Sequence, residues 1–126
     1  MADLKYVTCV EDDPDIRSII ELALADIGGL NVTLFNNGAE AIGNIDESTE
    51  LIILDMMMPE MNGLETLEKI RENKNFSTTP VIFMTAKAQP HEITHYKKAG
   101  AVDVILKPFN PMTLSDQVKD IWHTTQ

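Results

Sequence analysis

The stretch Leu51–Pro59 constrains the fold of this chain more than any other segment. Its sequence is Leu-Ile-Ile-Leu-Asp-Met-Met-Met-Pro, so four apolar residues lead directly into the carboxylate of Asp55. A short continuous apolar run is typical of a strand that is buried on both faces, as in a parallel sheet. Pro59 cannot continue a sheet ladder, so the chain must turn there. We therefore predict Asp55 at the carboxyl end of a central strand, where open α/β sheets bind their ligands.

Strand-like and helix-like patterns alternate along the rest of the chain. Strands are predicted at Tyr6–Val10, Val32–Phe35, Leu51–Leu54, Pro80–Met84 and Val104–Leu106. Helices are predicted from Pro14 to Gly28, near Ala39–Ile45, after Asn62-Gly63, from Pro90 to about Ala99, and after Asn110-Pro111. This alternation predicts a parallel sheet covered by helices on both faces, a doubly wound three-layer α/β sandwich. The length of 126 residues fits one domain over residues 1–126.

The charge balance limits the classes of partner. The chain carries 10 Lys and Arg against 20 Asp and Glu, a formal net charge of -10. This argues against nucleic acid as a direct partner, because phosphate backbones require a basic face. No apolar run approaches the ~20 residues of a membrane span, and the N-terminus lacks the regions of a signal peptide. The single cysteine, Cys9, fits a reducing compartment, so we expect a cytoplasmic protein with Cys9 as a small buried hydrophobe.

Polar residues follow four of the five predicted strands. Glu11 and Asp12 follow the first strand, Asp55 the third, Thr85 the fourth and Lys107 the fifth. Clustered carboxylates repel one another unless a cation lies between them, and an all-oxygen ligand set suits Mg²⁺, which keeps positions open for a phosphoryl group. Lys107 and Thr85 are candidates to hold the other phosphoryl oxygens. Asp55 is the candidate nucleophile, and it would form an acyl phosphate.

Each of these residues also has a purely structural interpretation. Asp12 could cap the first helix, although Asp13 is better placed to do so. Lys107 could be an ordinary solvated lysine, and Thr85 taken alone is more often a strand-end hydroxyl. The joint placement at four strand ends favours the functional interpretation.

Four motifs, in order and with matching spacing, resemble those of the response-regulator receiver domain, the CheY-like phosphoacceptor of two-component signalling. They are Glu11-Asp12, Asp55 followed by Met-Met-Met-Pro-Glu-Met-Asn-Gly, Met84-Thr85-Ala86, and Lys107-Pro108-Phe109. The resemblance covers the whole chain. It implies a flavodoxin-like (βα)5 fold with strand order 2-1-3-4-5.

The resemblance also implies how the carboxylates act. Asp55 would be phosphorylated by a sensor histidine kinase or a histidine phosphotransfer protein. Mg²⁺ would be bound by Asp12, Asp55 and the backbone carbonyl of Met57, with Glu11 helping through water.

The same resemblance assigns the groups around the phosphoryl site. Thr85 and the Ala86 amide would hold phosphoryl oxygens, and Lys107 would pair with the phosphoryl group. The peptide before Pro108 is expected to be cis. One position departs from the family pattern: Val104 stands where receivers usually carry Tyr or Phe, so the aromatic part of the usual switch is missing.

Two enzyme classes compete with this interpretation. His91-Glu92-Ile93-Thr94-His95 matches the H-E-x-x-H signature of zinc peptidases, but a third ligand would have to come from Asp116 or Asp120, which no motif supports. Haloacid-dehalogenase-like phosphatases need Asp-x-Asp after the first strand. Here Asp55 follows the third strand, and Met57 stands where the acid/base is needed.

We predict a phosphoacceptor signalling domain that catalyses only its own phosphorylation and dephosphorylation. Its output would be contact with a downstream protein effector or onward phosphotransfer, and its oligomeric state a monomer or a weak phosphorylation-dependent dimer. We expect a stand-alone receiver with no output domain after Gln126; the alternative is that these residues belong to a longer regulator.

Overall fold

Five parallel strands form one sheet in the computed structural model, which describes residues 3–126. The strands are β1 (Tyr6–Val10), β2 (Asn31–Phe35), β3 (Leu51–Asp55), β4 (Val81–Thr85) and β5 (Asp103–Leu106). Their order in the sheet is β2-β1-β3-β4-β5, with β3 paired to β1 on one side and to β4 on the other. The predicted flavodoxin-like fold with order 2-1-3-4-5 is confirmed.

Helices cover both faces of this sheet. They are α1 (Pro14–Glu21), which continues as a π-helical segment over Leu22–Ile27, α2 (Gly38–Ala41), α3 (Gly63–Arg71), α4 (Pro90–Lys98) and α5 (Leu114–His123). A 3-10 turn over Lys74–Phe76 follows α3. Within residues 3–126, no helix combines the length and apolar character needed to cross a membrane.

The strand β3 divides the interior into two cores. Leu51 and Ile53 pack with α1 and α5, whereas Ile52 and Leu54 pack with α3 and α4. All five residues of β3 are buried, which explains why the segment lacks the polar alternation of a half-exposed strand. Cys9 lies in the first of these cores and is fully buried, as predicted.

Local capping fixes the helices that follow β1 and β3. The Asp13 side chain accepts hydrogen bonds from the amides of Asp15 (2.8 Å) and Ile16 (3.4 Å), so Asp13 caps α1 and Asp12 is left for other contacts. Gly63 at the start of α3 lies so close to β3 that a Cβ atom there would be 2.8 Å from the Asp55 carbonyl oxygen. Glycine therefore lets the start of α3 approach the end of β3.

Several predicted boundaries are wrong. The second helix ends at Ala41 and not at Ile45, because Ile42 leaves the helical conformation at ψ 123° and Gly43 has φ 83°. The last helix begins at Leu114, because Asn110 first forms a turn in which its side chain accepts the Met112 amide at 2.9 Å. Boundary residues are decided by single contacts of this kind, which hydrophobic periodicity does not report.

Candidate metal and phosphoryl site

Residues from three strand ends meet at the carboxyl edge of the sheet. Glu11 directly follows β1, Asp55 is the last residue of β3, and Lys107 directly follows β5. The Lys107 Nζ lies 2.6 Å from Glu11 Oε1 and 2.9 Å from Asp55 Oδ1. Only 17% of the Lys107 side chain is exposed, so it is not an ordinary solvated lysine. The Lys107-Pro108 peptide is cis, as the resemblance implies.

Three carboxylates form a compact group next to this lysine. Glu11, Asp12 and Asp55 each offer one oxygen, and these oxygens all lie within 4.8 Å of one another. Glu11 and Asp55 are buried, whereas Asp12 is half-buried on the loop after β1. One lysine cannot neutralise three carboxylates, and oxygen ligands at this spacing suit a hard divalent cation.

Burial and mutual contact shift the pKa values in the group. Burial and the contact with Asp55 together raise the pKa of Glu11 from 4.5 to about 7, although Lys107 opposes the rise. Burial also disfavours the ionised form of Asp12, but its contacts with Glu11 and Asp55 outweigh this effect and lower its pKa. The raised pKa of Glu11 means that its ionised form is disfavoured in the metal-free site.

The pKa of Lys107 is raised. Burial acts against its charge, but the bonds to Glu11 and Asp55 outweigh this penalty. Lys107 thus stays charged over the whole physiological range, and its ammonium is held next to the Asp55 carboxylate.

Thr85 and Ala86 lie at the same edge but outside these contacts. Thr85 is the last residue of β4 and is buried, and its hydroxyl accepts the Lys87 amide at 3.1 Å. Ala86 is exposed and lies beside Lys107 in the wall of an apolar pocket of about 300 Å³. The Thr85 hydroxyl therefore stabilises the start of the following loop as an acceptor, and its own O–H can still donate to a phosphoryl oxygen.

Met57 contacts Asp55 through its backbone. Its amide donates to Asp55 Oδ1 at 3.3 Å, while its side chain is 66% exposed. Within residues 3–126, no N–H group donates to the Met57 carbonyl oxygen. With no donor among the described residues, that oxygen is available as a ligand.

Sequence reasoning did not identify Arg17, whose guanidinium reaches the loop after β1. Its Nη1 donates to the carbonyl oxygens of Glu11 (2.8 Å) and Asp12 (2.9 Å). The sequence feature that could have identified Arg17 is its position four residues after the Asp13 cap. This spacing is about one helical turn, so the side chain can reach back towards the acidic loop.

The H-E-x-x-H motif does not build a second site. His91 and His95 lie on α4 and are exposed. In the part of the chain that the structure describes, the only group of three clustered His, Cys, Asp or Glu side chains is Glu11, Asp12 and Asp55. Asp116 and Asp120 on α5 thus supply no third ligand, so the zinc-peptidase alternative lacks its metal centre.

The sequence of this chain is similar to those of known proteins. A family model described as the response regulator receiver domain matches residues 7–119. A chemotaxis protein CheY homolog of Campylobacter jejuni is 34% identical over 117 residues, which cover 91% of this chain and 90% of that protein. A transcriptional regulatory protein CpxR homolog of Haemophilus influenzae is 37% identical over 112 residues, which cover 89% of this chain and 48% of the relative.

A solved structure supports the same relationship. The chemotaxis response regulator CheY4 of Vibrio cholerae superposes with a TM-score of 0.85 at 29% identity, over 94% of this chain and 98% of that one. The chain therefore spans nearly all of the CheY-type relatives but only about half the length of the CpxR-type regulators that it matches, 48% to 49%.

Proposed function

The chain belongs to the response regulator receiver domain family of two-component signalling, and we propose that Asp55 is its phosphoacceptor. The observation that carries this proposal is the joint contact at the sheet edge. Three carboxylate oxygens lie within 4.8 Å of one another, and the Lys107 ammonium lies 2.9 Å from Asp55. This contact supports the proposal because a candidate nucleophile, a fixed cation and candidate metal ligands are the main requirements of phosphoryl transfer.

The residues present fit the Mg²⁺ ion that the receiver domain family binds through acidic residues. Asp12, Asp55 and the Met57 carbonyl would bind it directly, with Glu11 acting through water. The ion would supply charge neutralisation at the carboxylates and at the phosphoryl oxygens. The oxygen donor set and the carbonyl without a protein donor support this assignment.

The transfer that we propose forms one P–O bond and breaks one bond at the donor. An Asp55 carboxylate oxygen attacks the phosphorus of a phosphohistidine, the P–N bond breaks, and its electron pair remains on the departing imidazole. The product on Asp55 is an acyl phosphate. Lys107 would then pair with the phosphoryl group, and Thr85 and the Ala86 amide would hold its other oxygens.

This chemistry indicates which classes of protein are the partners. We propose a sensor histidine kinase or a histidine phosphotransfer protein as donor, and a protein effector as recipient of the signal. The apolar pocket beside Lys107 offers such a donor a surface next to the reacting atoms; it is lined by Ile16, Ile19, Ala86, Pro108, Phe109 and Pro111. We further propose that residues 1–126 act as one receiver domain in the cytoplasm.

Neither enzyme alternative has support in this arrangement. Asp55 ends the third strand in chain order, and the residue two positions later is Met57, whose thioether cannot act as general acid. We therefore propose that the protein catalyses only its own phosphorylation and dephosphorylation. It would turn over no external phosphate ester.

Incubation with acetyl phosphate and Mg²⁺ tests the proposal. We expect the intact mass to rise by one phosphoryl group, and the modification to be lost in Asp55→Asn, which cannot form an acyl phosphate. Asp26→Asn is a matched control, because Asp26 is an exposed aspartate outside the cluster, and it should be modified like the parent. Modification that persists in Asp55→Asn would refute the assignment.

A further inference from the structure

The guanidinium of Arg17 reaches back from α1 to the loop that carries two of the three clustered carboxylates. Its Nη1 donates to the Glu11 carbonyl oxygen at 2.8 Å and to the Asp12 carbonyl oxygen at 2.9 Å. These two carbonyls belong to the peptide groups on either side of the Asp12 Cα. One half-buried side chain thus restrains both backbone dihedrals that direct the Asp12 carboxylate.

The backbone leaves these two carbonyls without another fixed partner. The Glu11 amide still donates to the Phe35 carbonyl at 3.1 Å, so the ladder of β1 reaches this residue. Among the residues that the structure describes, however, no backbone amide donates to the carbonyl of Glu11 or of Asp12. Arg17 therefore supplies the hydrogen bonds that hold this part of the loop in place.

The backbone of Arg17 is itself held in place by α1. It is the fourth residue of α1, and its own amide donates to the Asp13 carbonyl at 2.9 Å. The Asp13 cap fixes the start of that helix. The acidic loop is thereby fastened to a rigid helix and not only to the end of β1.

The Arg17 guanidinium donates to the backbone carbonyls of the acidic loop and not to its carboxylate oxygens. Over residues 3–126, the ion pairs within 4 Å are those of Lys107 with Glu11 and Asp55 and that of Lys69 with Glu72, so Arg17 has no carboxylate partner. Arg17 thus leaves the carboxylate oxygens of the group available to a cation.

We propose that Arg17 is a positioning residue, which orients Asp12 for cation binding by holding the two peptide groups that flank it. This inference rests on the proposed function, because the cation that Asp12 would bind is the Mg²⁺ of the phosphoacceptor site. Groups that orient a metal ligand without touching the metal typically change metal affinity by about 10–100-fold when they are removed.

The test compares Arg17→Met with a matched control, Arg71→Met. Methionine keeps much of the aliphatic length but donates no hydrogen bond. Arg71 is also half-buried and donates from Nη1 to the Phe76 carbonyl at 2.7 Å, but it lies at the end of α3, outside the carboxylate group. Mg²⁺ affinity of the unphosphorylated protein is measured by calorimetry, and stability by urea unfolding without metal.

We expect Arg17→Met to weaken Mg²⁺ binding by about tenfold or more, and Arg71→Met to bind like the parent. Both variants should be less stable than the parent. A loss of Mg²⁺ affinity in Arg17→Met alone would therefore show that Arg17 positions the metal ligand and does not only stabilise the fold. If Arg17→Met does not fold, Arg17→Lys takes its place; it keeps the charge but has a shorter reach, and its Mg²⁺ binding should be weaker than that of the parent.

Two results would overturn the assignment: a folded Arg17 variant that binds Mg²⁺ as tightly as the parent, or an equal loss of affinity in Arg71→Met. The parent protein distinguishes this failure from failure of the proposed function. If the parent neither binds Mg²⁺ nor takes up phosphate at Asp55, both proposals fall. If the parent does both and only the variant result is negative, the role of Arg17 alone is refuted.

Discussion

At the scale of single residues, Lys107 connects the metal-free carboxylate site with the phosphoryl transfer that we propose. Its ammonium bonds to two buried carboxylates, Glu11 at 2.6 Å and Asp55 at 2.9 Å. These contacts hold the ammonium beside Asp55, the carboxylate that we propose is phosphorylated. Lys107 neutralises part of the same negative charge that Mg²⁺ would neutralise. The two cations therefore compete for the carboxylates.

Replacing Lys107 should have different effects on stability, on Mg²⁺ affinity and on the response to a phosphoryl analogue. We expect Lys107→Ala to lower the free energy of unfolding of the metal-free protein by about 1–3 kcal/mol, because buried carboxylates lose a charged partner. Mg²⁺ affinity should not fall, since a competing cation is removed. The conformational response to beryllofluoride should be lost. Urea unfolding and NMR titration measure these quantities.

An exposed lysine on α4 provides the control for this experiment. Lys97→Ala should leave the free energy of unfolding and the beryllofluoride response as in the parent, because Lys97 is exposed. A normal beryllofluoride response in Lys107→Ala would show that Lys107 has no part in sensing the phosphoryl group.

At the scale of secondary structure elements, β5 carries the departure from the family pattern. Val104 pairs with Phe83 of β4 and is half-buried against the core that contains α3 and α4. In that core, Phe83 and Tyr96 already form an edge-to-face pair with ring centroids 5.5 Å apart. Aromatic rings are thus present beside Val104, but they are fixed in packing, and valine itself is stiff at χ1.

We therefore expect the surface of α4, β5 and α5 to change little on activation. NMR chemical shifts measured with and without beryllofluoride should move mainly in the loops that follow β1, β3 and β4. The loop residues 87–89 should move most, because the Lys87 amide is bonded to the Thr85 hydroxyl that would also donate to the phosphoryl group. Shift changes of equal size around Val104 and along α5 would contradict this expectation.

At the scale of the whole molecule, Glu11 couples stability to pH. Its pKa is raised by burial and by Asp55, from 4.5 to about 7, so the folded protein holds a proton that the unfolded chain releases. A raised pKa stabilises the fold below the unfolded value, and this contribution is lost as pH rises through the folded value. Asp12, whose pKa is lowered, acts in the opposite sense and only at more acidic pH.

The free energy of unfolding of the metal-free protein should therefore decrease as pH rises from 4.5 to about 7. Glu11→Gln should weaken this dependence, because glutamine does not titrate. Saturating Mg²⁺ should stabilise the protein more at the upper end of the range, where Glu11 is ionised. Urea unfolding in EDTA and in Mg²⁺ across this range measures both effects; stability of the metal-free protein that increases with pH would contradict the assignment of the proton to Glu11.

The sequence alone determined the types and order of the elements and the edge of the sheet where the polar residues meet. Hydrophobic periodicity, caps such as Asp13-Pro14 and the rule for parallel crossovers act over a few residues or through general geometry, so they can be evaluated without coordinates. The carboxyl ends of parallel strands share one edge, and this placed Glu11, Asp55 and Lys107 near one another in advance.

Only the tertiary structure decided which atoms at that edge touch. Lys107 and Glu11 are 96 positions apart in the chain, yet their side chains form a 2.6 Å bond, and this separates a site lysine from a solvated one. The bonds from Arg17 to the loop carbonyls and the burial that raises the pKa of Glu11 likewise depend on packing. Hydrogen bonds and desolvation vary over fractions of an ångström, a distance that residue type and spacing do not specify.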